Sequence, residues 1–151
     1  MKNNHALHTA LDLETQCRDV LQAQVAEALI EQEAAVAQLA QLDQYDGETR
    51  AQLGHSGARH DAARLAHQQT FLARLQQALL LQHDAVEQTQ KRVDALNQQL
   101  VTVNRRIAAL QALIARNLER ERRALDRREQ KQGDELAAAR HVRHNNDAAT
   151  Q

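Results

Sequence analysis

The sequence contains no proline and no tryptophan, and only one cysteine, one methionine, one phenylalanine and one tyrosine. Without proline, nothing in the chain obliges a helix to break. With Phe71 and Tyr45 as the only aromatics, a compact globular core, which leans on large rings, is not the expected product. A single cysteine, Cys17, excludes an internal disulfide and suits a reducing compartment. Long apolar runs are also missing. The longest are four residues, such as Ala78–Leu81, far short of a bilayer span. The start, Met1 to His5, leads into no apolar segment of a secretory signal. Neither sign of charge dominates: 19 basic and 20 acidic residues leave a net charge of −1, so no global field draws the chain to nucleic acid or an anionic membrane. Read together, these absences lead us to expect a soluble, cytoplasmic protein.

What is present is 42% hydrophobic, mostly Ala, Leu and Val among Gln, Glu and Arg. That is the makeup of long helices packed along a seam. The principal interruption lies between Gln44 and Gly57, which holds three of the four glycines. Gly54 and Gly57 can supply the backbone freedom of a helix end and a reversal, and Ser56 can cap the second helix. The expected architecture is all-α: a single domain forming a two-helix antiparallel coiled-coil hairpin. Its first helix runs over about 5–50, its turn over about 51–58 and its second helix over about 59–142, with a frayed tail at 143–151. Alanine at both Gly54 and Gly57 is then expected to favour one continuous helix and open, swapped dimers.

On the first helix Asn3 and Asn4 are candidate caps. The apolar stripe reads Leu7, Leu11, Cys17, Leu21, Val25, Leu29, Val36 and Leu39, with irregular spacing. The second helix is regular. Every seventh residue from Leu65 to Ile114 is apolar: Leu65, Leu72, Leu79, Val86, Val93, Leu100, Ile107 and Ile114. These are a positions of a heptad seam. The d positions are of mixed character, with Gln68, Gln82, Thr89 and Asn117 polar and Leu75, Leu96, Val103 and Leu110 apolar. After Ile114 the pattern moves to Leu118 and Leu125, a four-residue stutter. A second helix of roughly 85 residues is about 130 Å long and outruns the first. A turn near residue 55 sets His5 opposite about Arg105, so that Ile107, Leu110, Ile114 and Leu118 overhang. The apolar stripe of that overhang suits a partner or a second copy of the chain equally.

No catalytic constellation is present: no glycine-rich phosphate loop, no cysteine cluster and no nucleophile–histidine–carboxylate set, so the chain reads as a non-enzyme without a cofactor. His141 with His144, and His60 with His67, offer only pairs, too few for a zinc site, and read as surface residues. Arg116 to Lys131 carries seven basic residues. Four interleaved carboxylates and its place after the heptads oppose a DNA-binding zipper. Phe71, Leu75, Ala78 and Gln82 line one flank of the second helix, and the lone Phe71 reads either as a partner contact or as a cover for the seam.

Three groups of residues stand in order along the chain: Tyr45, Glu48, Arg50 and Leu53 around the interruption, Gln68-Gln69, Phe71, Leu75, Ala78 and Gln82 beyond it, and Asp134-Glu135-Leu136-Ala137 near the end. In these the chain resembles the FliJ family of flagellar export proteins and its injectisome counterparts of the YscO kind. The resemblance covers most of the chain and implies a stalk of a type III protein export apparatus, serving flagellum biogenesis or an injectisome. By that likeness the two ends of the coiled coil enter the hole of a hexameric export ATPase. Residues expected there are Leu7 and Leu11 on the first helix and Leu118, Arg122, Arg123, Arg127, Asp134 and Glu135 on the second. Phe71, Leu75, Ala78 and Gln82 match the positions that meet the membrane export-gate protein, and export chaperones are further implied partners. The implied location is peripheral, at the cytoplasmic face of the apparatus, with no membrane insertion and no nucleic acid bound. The alternative is a homodimeric coiled-coil scaffold or chaperone outside secretion.

Overall fold

A computed structural model describes residues 2–55 and 62–151. They form two helices, α1 (Lys2–His55) and α2 (Ala62–Ala149), and no strand occurs among the described residues. The fold is an all-α helical hairpin with the second helix the longer, 88 residues against 54.

The ends of the helices differ from expectation. Residues 51–55, read as the start of a turn, are the last turn of α1. Gly47 and Gly54 both lie inside the helix, and no described glycine has a positive φ. Glycine in a helix interior costs about 1 kcal/mol relative to alanine, too little to end a helix whose neighbours support it. Around Gly47 the support is visible: Arg50 pairs with Asp46 at 3.1 Å and Gln44 donates to Glu48 at 3.1 Å, both one turn apart. Ser56 and Gly57, the expected cap and pivot, lie outside the described residues. At the other end α2 continues through the stretch expected to fray, as far as Ala149.

Because Gly54 is helical and a Cβ there would meet nothing within 4 Å, Gly54→Ala should stabilise the protein by roughly 0.5–1 kcal/mol and leave it in its native association state. Thermal unfolding with sedimentation velocity checks this. A lower melting temperature or a swapped dimer would put the reversal at Gly54 after all.

The chain divides into two packed units, residues 16–104 and residues 1–15 with 105–151. In the first, the helices run antiparallel. Asp46 accepts from Gln76 at 3.0 Å, the Ala35 carbonyl accepts from Gln82 at 2.8 Å, Gln32 bonds Gln90, and Glu31 pairs with Arg92 at 2.6 Å. Its core is thin: Ala28, Leu75, Leu79, Val93 and Val103 are buried. Ala28 and Ala35 let the larger α2 side chains approach the α1 backbone, which is how Gln82 reaches a main-chain oxygen there.

In the second unit the start of α1 lies along α2 between Arg106 and Glu121. Glu14 faces Arg106 at 3.9 Å. Asn4 accepts from the Asn117 amide at 3.3 Å and donates to Glu121 at 3.2 Å. Ile107 and Ile114 are buried, and Leu110 is half-buried. These residues, expected to overhang, are therefore paired core. The reason is the continuation of α1 through Gly54, which carries its partner register further along α2. Asn4 does not cap a helix that already begins at Lys2. It forms instead a polar layer with Asn117, the kind of seam contact that fixes register.

Candidate partner-binding surfaces

The α2 heptad holds over a long stretch. Each a and d position from Gln68 to Asn117 is buried or half-buried, while the first a position, Leu65, is exposed. On α1 the shielded positions step by sevens along two rows. One contains Asn4, Leu11, Arg18, Val25, Gln32, Leu39 and Asp46. The other contains Leu7, Glu14, Leu21, Ala28, Ala35 and Leu42. Cys17, Leu29 and Val36, expected in the stripe, are exposed. Arg18, Gln32 and Asp46 escape a search for apolar seam residues because they are polar. A seven-residue step counted without regard to polarity is the signal that finds them.

The four flank residues of α2 separate into two kinds. Phe71 is 51% exposed, whereas Leu75 is 7% exposed and belongs to the core. Ala78 is half-buried, and Gln82 is half-buried with its amide committed to the Ala35 carbonyl. Accessible surface at this place is therefore Phe71 and the edge of Ala78. Nearby, Gln68 Oε1 is buried and accepts no hydrogen bond among the described residues. Leu75→Ala removes core packing and should cost roughly 2–4 kcal/mol, while Phe71→Ala should change stability by less than about 0.5 kcal/mol. Chemical denaturation of both variants measures the contrast. Equal losses would make Phe71 part of the core.

The second group lies in the unit formed by both ends of the chain. Leu7 and Leu11 are half-buried against α2. Leu118 is 53% exposed, and every residue from Leu118 to Gln151 is exposed. Arg122, Arg123, Arg127, Asp134 and Glu135 thus stand on an open helix. Glu119 holds Arg123 at 3.1 Å and Arg122 at 4.0 Å, which stiffens the first turns. The contacts of Asn4 with Asn117 and Glu121 bring the start of α1 level with the base of this extension. The helix also carries exposed Leu125, Leu136 and Val142. His67, His141 and His144 are exposed, His60 lies outside the described residues, and no group of three metal-ligating side chains occurs among the described residues. No described helix is long and apolar enough to cross a membrane.

A helical hairpin with a thin, part-polar seam and an exposed, charged end on its longer helix is a coiled-coil protein. The family model for the flagellar FliJ protein matches residues 2–146, nearly the whole of it, and the chain belongs to that family. It is thereby placed among components of flagellar, type III protein export, a family without a catalytic role. No curated protein and no solved structure matches the chain.

Proposed function

We propose that this chain is the central stalk and coupling component of a type III export apparatus. Its free α2 extension, with the start of α1 around Leu7 and Leu11, enters a hexameric export ATPase, and Phe71 with the edge of Ala78 meets the membrane export-gate protein. The observation that carries this reading is the bare extension: about thirty consecutive helical residues after Asn117, all exposed. An isolated helix gains little in water without tertiary packing, and its exposed leucines call for burial. Arg122, Arg123, Arg127, Asp134 and Glu135 give it mixed charge, which suits a polar ring lining where register and steering matter more than affinity. Filling the ring holds its subunits together and so favours hydrolysis at sites shared between them. Leu75 and Gln82 support the gate contact from beneath by fixing the helix that presents Phe71. The chain acts at the cytoplasmic face of the apparatus, with export chaperones as further partners.

The test is site-specific photo-crosslinking. A photoreactive residue at Leu125 should crosslink to the assembled ATPase, and one at Phe71 should not, whereas Phe71 should capture the cytoplasmic part of the gate protein. Capture of the ATPase from Phe71 alone would overturn the assignment of the two ends.

A further inference from the structure

The extension beyond Asn117 has a second property: it is complementary to itself. Starting from the stutter at Leu118, the next seam positions on the same face are Arg122, Leu125, Glu129, Gln132, Leu136, Ala139 and Arg143, alternating by four and three residues. All are exposed. Laid against a second copy in the same direction, this face would stack Arg122 on Arg122, Glu129 on Glu129 and Arg143 on Arg143, three layers of like charge. Reversing the second copy removes every one of those clashes. When Leu125 faces Leu136, Arg122 falls opposite Ala139, Glu129 opposite Gln132 and, at the outer edge, Arg143 opposite Leu118, and each layer occurs twice by symmetry.

The flanking residues agree with the same register. In antiparallel pairs of helices the residues bordering the seam meet their own kind of position on the partner. Here that sets Arg128 against Glu135 and Glu119 against Arg140, again twice each, so four opposite-charge contacts form and no like pair. Arg128, Glu135 and Arg140 make no ion pair within their own chain among the described residues, while Glu119 holds Arg123 at 3.1 Å and Arg122 only at 4.0 Å, so Arg140 of a second copy would compete with Arg122 for its outer oxygen. Sliding the partner by one heptad sets Leu125 against Glu129 or against Arg143, and brings Glu135 opposite either Glu121 or another Glu135. Of these registers only the first pairs Leu125 with Leu136 and sets opposite charges together at the flanks.

We infer that the free end of α2 pairs antiparallel with the same segment of a second copy, forming a two-fold dimer centred between Gln130 and Lys131. The interface is isologous, so it closes at two copies. Two leucine layers and an alanine make it weak and reversible, a resting state that hides the extension until another partner displaces the copy. The inference does not depend on the proposed ATPase contact, and it is tested on the chain alone.

Sedimentation equilibrium of the full chain from about 1 µM to about 500 µM should show a monomer–dimer equilibrium, estimated from interfaces of a few leucine and charge contacts. Arg128→Glu or Glu135→Arg alone turns two attractions into repulsions and should weaken the dimer roughly tenfold. The double variant Arg128→Glu/Glu135→Arg should restore it. In a Cys17→Ala background, Leu125→Cys mixed with Leu136→Cys should give a covalent dimer under mild oxidation, and Leu125→Cys by itself should not. A chain that stays monomeric throughout the range overturns the inference. So does a dimer indifferent to the charge reversals, or self-crosslinking of Leu125→Cys, which would mean parallel pairing.

Discussion

Ile107→Asp is expected to detach the start of α1 from α2. Ile107 is 6% exposed, and the residue before it, Arg106, already reaches across to Glu14. Aspartate at 107 places a carboxylate at a buried seam position, and the adjacent Arg106 is already turned to Glu14. An unpaired buried charge costs about 3–5 kcal/mol, a large share of the roughly 5–15 kcal/mol that stabilises a typical protein. Little else holds the start of α1 in place: buried Ile114, half-buried Leu7, Leu11 and Leu110, and the contacts of Asn4 with Asn117 and Glu121. Amide exchange should show the effect locally, with protection at Leu7 to Glu14 falling at least a hundredfold, equivalent to about 2.7 kcal/mol. Protection around Ala28 and Val93, in the other packed unit, should change much less. If Leu7 to Glu14 keeps its protection, residues 2–15 are not held by Ile107 and the described register is wrong.

The same residue shows where the sequence is legible and where it is not. The α2 heptad can be read directly, because eight apolar residues recur at an unbroken step. A helix that supplies the larger side chains to a seam must show its period in hydrophobicity. The opposite helix need not. On α1 small Ala28 and Ala35 and polar Arg18, Gln32 and Asp46 occupy seam positions, and the more apolar Cys17, Leu29 and Val36 lie off it. Hydrophobic pattern there finds Leu7, Leu11, Leu21, Val25 and Leu39, adds three residues that lie off the seam, and misses its small and polar members. The first helix outruns its expected end at about residue 50 for an energetic reason. Gly54 looks like a helix breaker, yet glycine costs only about 1 kcal/mol in a 54-residue helix with cross-seam contacts. That displacement alone converts Ile107, Leu110 and Ile114 from a free stripe into core. At the flank of α2, spacing groups Phe71, Leu75, Ala78 and Gln82 on one side of the helix. Which of them the partner helix covers depends on the register, and the register depends on where α1 ends. The charged end of α2 is legible, because α2 is the longer helix in either register and its residues beyond Glu121 stand clear of α1 in both.

Truncation after Leu118 carries the largest functional effect. It leaves the paired part intact: Ile107, Ile114 and the Asn4–Asn117 layer all lie before the cut. Among the described cross-helix contacts, it removes the Asn4–Glu121 hydrogen bond, an exposed contact of about 1 kcal/mol at most. Near-native melting and a proportionate loss of helical signal should confirm that the shortened chain still folds. Everything removed is exposed, including Arg122, Arg123, Arg127, Asp134 and Glu135. If the extension is what fills the ring, the shortened chain has nothing to insert. The decisive measurement is steady-state ATP hydrolysis by the cognate export ATPase, titrated with full-length and truncated chain at several ATPase concentrations. The full chain should stimulate hydrolysis most at low ATPase concentration, where ring assembly limits the rate, Phe71→Ala should stimulate equally, and the truncated chain should not stimulate at all. Undiminished stimulation by the truncated chain would contradict the placement of the α2 extension in the ring.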